Sequence, residues 1–160
     1  MWKVVGHSRT IKFLDTSTDL NMLSHAYLFL GPPNIGKNTL AINLAQKVNC
    51  SSIDSPCQEC QSCVRIQNGN HADVLVVSMD SVGAKAEIGI DIIREIQHKA
   101  MFKPYEGARR VVIIKEAEKL SIEAANCLLK TLEEPPSELL IILTSTNKDL
   151  LPPTLCSRCK

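Results

Sequence analysis

Two rhythms of apolar residues alternate along this chain. Four short segments are nearly continuous in apolar side chains: Ala26 to Leu30, Asp73 to Val77 (DVLVV), the β-branched run Val111 to Ile114, and Leu139 to Leu143. Between them the spacing changes to three and four residues. Leu40, Ala41, Ile42, Leu44, Ala45 and Val48 follow the first run, Ile92, Ile93, Ile96 and Ala100 stripe the segment Ile90 to Ala100, and Ala125, Leu128, Leu129 and Leu132 stripe a segment ending at Glu133. Continuous runs bounded by turn residues predict buried strands, and the wider spacing predicts amphipathic helices. Ser121 is placed to cap the last helix, and Pro135 and Pro136 stop it. Strands buried on both faces and separated by helices predict a parallel sheet covered on each side, an α/β fold.

Composition narrows this picture modestly. With 160 residues and 44% hydrophobic content, the chain can bury one sizeable core and carry a small inserted module. Net charge is +1, and three Phe, two Tyr and one Trp are scattered, so no basic stripe interleaved with aromatics predicts an autonomous grip on nucleic acid. No apolar stretch of about 18 residues and no secretory pattern occurs, so the expectation is a cytoplasmic protein with no membrane partner. Seven cysteines in such a chain point to metal or free thiols rather than a disulfide framework.

The first candidate chemistry lies where the first strand hands over to a helix. Gly31, Pro32, Pro33, Asn34, Ile35, Gly36 and Lys37 read GPPNIGK, followed by Asn38 and Thr39. In the pattern G-x-x-x-x-G-K-[ST], backbone N–H groups curl around phosphate oxygens, the lysine reaches the terminal phosphates, and the last hydroxyl holds Mg²⁺. Here Asn38 occupies the hydroxyl position, so the pattern predicts binding of ATP or ADP and puts hydrolysis in question. A parallel sheet places this loop at the carboxyl ends of its strands, where such folds bind ligands.

The second is Cys50, Cys57, Cys60 and Cys63, reading C-x6-C-x2-C-x2-C, in a stretch that Ser51, Ser52, Ser55 and Pro56 mark as loop. Four thiolates close a tetrahedral shell around Zn²⁺ with no position left for a catalytic water, so the expected role is structural. His71 reads as a loop residue, and Cys156 with Cys159, lacking a second pair, as incidental thiols.

The third is the strand ending at Ile114. In phosphate-loop ATPases such a strand ends in Asp-Glu, which supports Mg²⁺ and polarises the attacking water. Lys115 and Glu116 stand there instead. A cation in place of the carboxylate reverses the local interaction by on the order of 4 kcal/mol per charge pair at about 4 Å and an effective dielectric of about 20. With Asn38, both protein supports of Mg²⁺ are altered. The alternative is a register shift in which Glu116 or Glu118 supplies the carboxylate.

Together the run SHAYLFLGPPNIGK (Ser24 to Lys37), the cysteine cluster, LLKTLEEPP (Leu128 to Pro136) and PPTLCSRC (Pro152 to Cys159) resemble the N-terminal domain of bacterial DNA polymerase III clamp-loader subunits, the delta-prime type above all. The resemblance spans essentially the whole chain. It implies an AAA+ domain over 1–160 with a five-stranded parallel sheet, a zinc module inserted at 50–63, and lid and collar domains outside this stretch. It implies that Arg158 is an arginine finger acting on ATP held by a neighbour, that Glu116 is a degenerate remnant of the metal-binding strand end, and that Thr146, or Ser145 beside it, is the sensor of the nucleotide. The implied partners are other clamp-loader subunits, gamma/tau and delta, with the sliding clamp and primer-template DNA reached through the assembly. The departures at Asn38 and Lys115 favour a non-hydrolysing stator over the gamma/tau motor. Any polymerase activity would belong to the holoenzyme, since paired metal-binding carboxylates are lacking here.

Overall fold

The computed structural model describes residues 2–83 and 86–160. Strands β1 (Ala26–Leu30), β2 (Val74–Val77), β3 (Arg110–Ile114) and β4 (Leu139–Ser145) form one sheet in the order β1-β4-β3-β2, parallel throughout. Helices α1 (Ser8–Asp19), α2 (Lys37–Asn49) and α3 (Gln61–Gln67) accompany the first part of the chain. The rest carries α4 (Met79–Val82), α5 (Ile90–Ala100), α6 (Ile122–Glu133) and α7 (Pro153–Cys156).

Strand alternation sorts side chains between two cores. Tyr27, Phe29, Val111, Ile113, Leu140 and Ile142 face Leu14 of α1, Leu40 and Leu44 of α2 and Ile66 of α3. Ala26, Val112, Ile114, Leu139, Ile141 and Leu143 face Ile93 and Ile96 of α5, Leu128 and Leu132 of α6 and Leu155 of α7. Both faces are therefore covered, as a sheet of continuous apolar strands demands. No described helix is long and apolar enough to cross a membrane.

The five-stranded expectation is corrected: the described residues form four strands. At the outer edge of β1, Lys160 donates its N–H to Ala26 O at 3.1 Å and accepts from Leu28 N at 2.7 Å. One residue pairing with an edge does not make a strand, and the apolar alternation itself supports four.

Polar anchors fix the loops. The Asp73 carboxylate, immediately before β2 and fully buried, accepts from the backbone N–H groups of Tyr105, Glu106 and Gly107 at 2.7, 2.8 and 2.8 Å and from Arg110 Nη2 at 3.1 Å. Burial alone would raise its pKa, but these N–H donors and the Arg110 charge overcome that and hold the carboxyl below its ordinary value. Lys47 of α2, likewise buried, clasps Asp15 at 2.9 Å and Asp19 at 2.8 Å, which seats α1 on α2.

Candidate functional site

The phosphate loop runs from the carboxyl end of β1 to the first turn of α2. Gly31 at φ 153° and Gly36 at φ 94° take backbone conformations that favour glycine, and a Cβ on Gly31 would run into Ile35 Cδ1. Gly36 caps α2, leaving the first N–H groups of the helix directed at the loop, where the helix dipole favours an anion. Lys37 Nζ donates to Gly31 O and Pro32 O, both at 2.6 Å, so the ammonium is held across the mouth of the loop.

Two cavities flank Lys37. One, of about 260 Å³, is lined by Pro33, Asn34, Lys37, Asn38, Glu116, Glu118, Thr144, Ser145 and Thr146. The other, of about 310 Å³, lies between the loop (Ile35, Gly36, Lys37), β1 and the N-terminal residues His7 and Thr10. His7 Nε2 bonds Ile35 O at 2.8 Å, tying the N-terminal segment to the loop. Thr39 borders a further cavity of about 290 Å³ with Asn34, Gly36, Lys37 and Asn38.

The polar pocket gathers most of the predicted residues and rearranges their roles. Thr144, 3% exposed, donates from Oγ1 to Asn38 Oδ1 at 3.2 Å and accepts from Glu116 N at 3.4 Å. Thr144 thus joins the loop helix, the turn after β3 and β4, and lines the same cavity as Thr146 and Ser145, the two sensor candidates of the sequence. Thr146 instead donates through Oγ1 and N to Glu118 Oε1 at 2.9 and 3.3 Å. The missed signal was strand alternation: Thr144 continues the Leu140, Ile142 face, which looks toward α2. Burial alone would raise the Glu118 carboxyl, but hydrogen bonds from Ser145, its own backbone and Thr146 hold it below its ordinary value. Lys115 lines neither cavity, whereas Glu116 and Glu118 line the polar one beside Lys37. Carboxylates, not Lys115, therefore border this cavity together with Lys37, which is the arrangement the register-shift alternative describes.

Arg158, just past α7, lies apart from these cavities. Its Nη2 donates to Glu133 Oε1 at 2.6 Å, and its Nη1 approaches Ser157 Oγ at 3.4 Å and Thr154 O at 3.5 Å.

The four cysteines converge at the far end of α2. Cys50 is the residue after the helix, Cys60 caps α3, and Cys63 lies buried in its first turn. Their sulfurs all lie within 4.8 Å of one another, with separations of 3.5 Å (Cys50 to Cys57), 3.9 Å (Cys50 to Cys60) and 4.0 Å (Cys57 to Cys63). A tetrahedron with metal–sulfur bonds of about 2.3 Å has edges of about 3.8 Å, so this donor set fits Zn²⁺. Backbone N–H groups of Ser52, Cys60 and Cys63 donate to the sulfurs of Cys50, Cys57 and Cys60, as they do to thiolates. The N–H groups of Cys60 and then Glu59 bring the Cys57 thiol down to about 6. His71 is no ligand: buried, it bonds Ser62 through Nε2 and Asp73 N through Nδ1. Cys156 and Cys159 pack against the core, where burial and then Cys156 push Cys159 up to about 11 and keep it protonated.

Comparison with known proteins agrees with this geometry. The family described as "DNA polymerase III, delta subunit" matches residues 6–160. The chain belongs to this family. Among curated proteins it is 42% identical over 159 residues to DNA polymerase III subunit tau of Bacillus subtilis and 36% identical over 158 residues to subunit tau/gamma of Haemophilus influenzae. Each alignment takes in 98% of this chain but only 27% and 22% of those relatives, so the chain spans about a quarter of their length. Among solved structures, a DNA polymerase III gamma subunit-related protein of Thermotoga maritima superposes with a TM-score of 0.67 at 26% identity, over 92% of this chain and 44% of that one. The Thermotoga maritima RuvB branch migration motor shares the fold at 17% identity, with a TM-score of 0.57 over 96% of this chain and 43% of that one. The chain thus has the P-loop fold shared by these DNA polymerase III subunits.

Proposed function

We propose that this domain binds ATP or ADP on the Gly31 to Lys37 loop and serves a clamp loader as a delta-prime-like stator, turning over little or no nucleotide itself and offering Arg158 to a neighbouring ATPase subunit. The observation that carries the reading is the side chain of Asn38. It stands where the Mg²⁺-binding hydroxyl belongs, and its oxygen is already committed to Thr144. An amide oxygen already taken by the Thr144 hydroxyl is less free to hold the metal than the hydroxyl it replaces, while the loop backbone and Lys37 keep what phosphate binding requires. The polar cavity accepts phosphates, and the one beside His7 and Thr10 has room for a base. The cysteine cluster holds a structural Zn²⁺ that closes the loop between α2 and α3. Partners on this reading are the gamma/tau and delta subunits, with clamp and primer-template DNA met in the assembly.

Calorimetric titration with ATP and ADP, with and without Mg²⁺, tests it: affinity indifferent to Mg²⁺ and absent turnover support the stator. A second reading, a gamma/tau-type motor, is favoured by the names of the relatives and by Glu116 and Glu118 beside Lys37. Steady Mg²⁺-dependent hydrolysis, lost in Lys37→Ala, would establish it instead.

A further inference from the structure

We propose that Glu133 is a positioning residue for Arg158, fixing the direction in which the guanidinium faces a neighbouring subunit; this rests on Arg158 acting in trans. Arg158 follows a four-residue helix, and a long side chain there would sample many rotamers. Instead Nη2 meets Glu133 Oε1 at 2.6 Å, and Nη1 leans on Ser157 Oγ at 3.4 Å, itself donating to Thr154 O at 2.9 Å.

Both supports belong to helices anchored in the core. Glu133 closes α6, whose Leu128 and Leu132 are buried, and Leu155 of α7 is buried in the same core. The carboxylate is also badly placed for helix stability. Glu133 ends α6 and Glu134 caps it, so two negative charges stand at the negative pole of the helix dipole. The dipole favours cations there: Lys130 already supplies one in the last turn, and Arg158 brings a second through space. With 37% of the Arg158 side chain and 49% of the Glu133 side chain exposed, the pair is too solvated to add much stability. Its effect is geometric: the carboxylate holds Nη2 while Ser157 Oγ and Thr154 O hold Nη1 more loosely, which restricts the directions the guanidinium can take and pre-pays the orientation a phosphate contact needs.

The test is the assembled clamp loader containing the full chain, with the kcat and KM for ATP of the neighbouring subunits as readout. Arg158→Ala should lower kcat by roughly a thousandfold, the scale of an arginine finger. Glu133→Ala should lower kcat by about tenfold with KM within about twofold, because orientation is lost and charge is kept. Glu133→Gln, which keeps an acceptor oxygen, should recover to within about threefold of wild type. Thermal melting and gel filtration of each assembly establish that the variants fold and assemble. Glu133→Ala at wild-type kcat beside a crippled Arg158→Ala would overturn the positioning role and leave the finger standing. An unaffected Arg158→Ala would remove the finger reading and this role with it.

Discussion

Thr144 Oγ1 donates to Asn38 Oδ1 at 3.2 Å, linking the end of β4 to the first turn of the phosphate-loop helix. The same hydroxyl accepts from Glu116 N, so one buried atom ties three elements around the nucleotide pocket. Thr144→Val keeps the shape and removes both hydrogen bonds, whose partners Asn38 and Glu116 are exposed and can turn to water. Unfolding in urea should show a loss of about 0.5–1.5 kcal/mol, the net worth of such a bond.

Removing the loop ammonium separates phosphate binding from metal support. Lys37→Ala should weaken ATP by about tenfold or more, the value of charge-assisted hydrogen bonds to phosphate. Wild-type affinity, by contrast, should change by less than about threefold between Mg²⁺ and EDTA, since Asn38 offers the metal little. Calorimetry reads both, and a strong Mg²⁺ dependence would reassign the metal to Glu116 or Glu118.

The cysteine cluster should hold one Zn²⁺ per chain, measurable by metal analysis. Stripping it with a chelator, or Cys60→Ser, should unfasten α3 from the end of α2. A loss of about 3 kcal/mol corresponds to a drop in melting temperature of roughly 6–12 °C for a domain of this size. An unchanged melt with no bound metal would leave the four thiols without a structural role.

Asp73 should dominate acid sensitivity. Its folded value is depressed, so its stabilisation is complete above the ordinary 3.8 and is lost as pH falls through the folded value. Asp73→Asn strands the Arg110 guanidinium and should cost about 3–5 kcal/mol at neutral pH, the penalty of breaking a buried pair. Stability of the variant should also vary less with pH below about 4. Denaturant melts across pH 2.5–7 would show a converging pair of curves.

The cores were legible because each strand is apolar over its whole length, and Ser121, Pro135 and Pro136 bound α6 where its stripe begins and ends. Four strands were readable from that pattern; the fifth came from resemblance alone. Helix α1 gave little signal, since only Leu14 of its twelve residues is buried and its seating depends on Lys47 reaching Asp15 and Asp19. The cysteine spacing revealed its cage, because short spacers force sulfurs together. The Asp73 anchor was invisible because its partners are mostly backbone N–H groups, which no side-chain pattern records. Thr144 was within reach, but the polar stretch Thr144, Ser145, Thr146 hides which hydroxyl faces the loop until strand register is counted.

Helix α2 begins at Lys37 and yields directly to Cys50, so the metal cage and the phosphate cradle are opposite ends of one 13-residue rod. At 1.5 Å per residue that rod is about 20 Å long and carries no joint. The cysteine knuckle and the phosphate loop are thus mounted on a single axle.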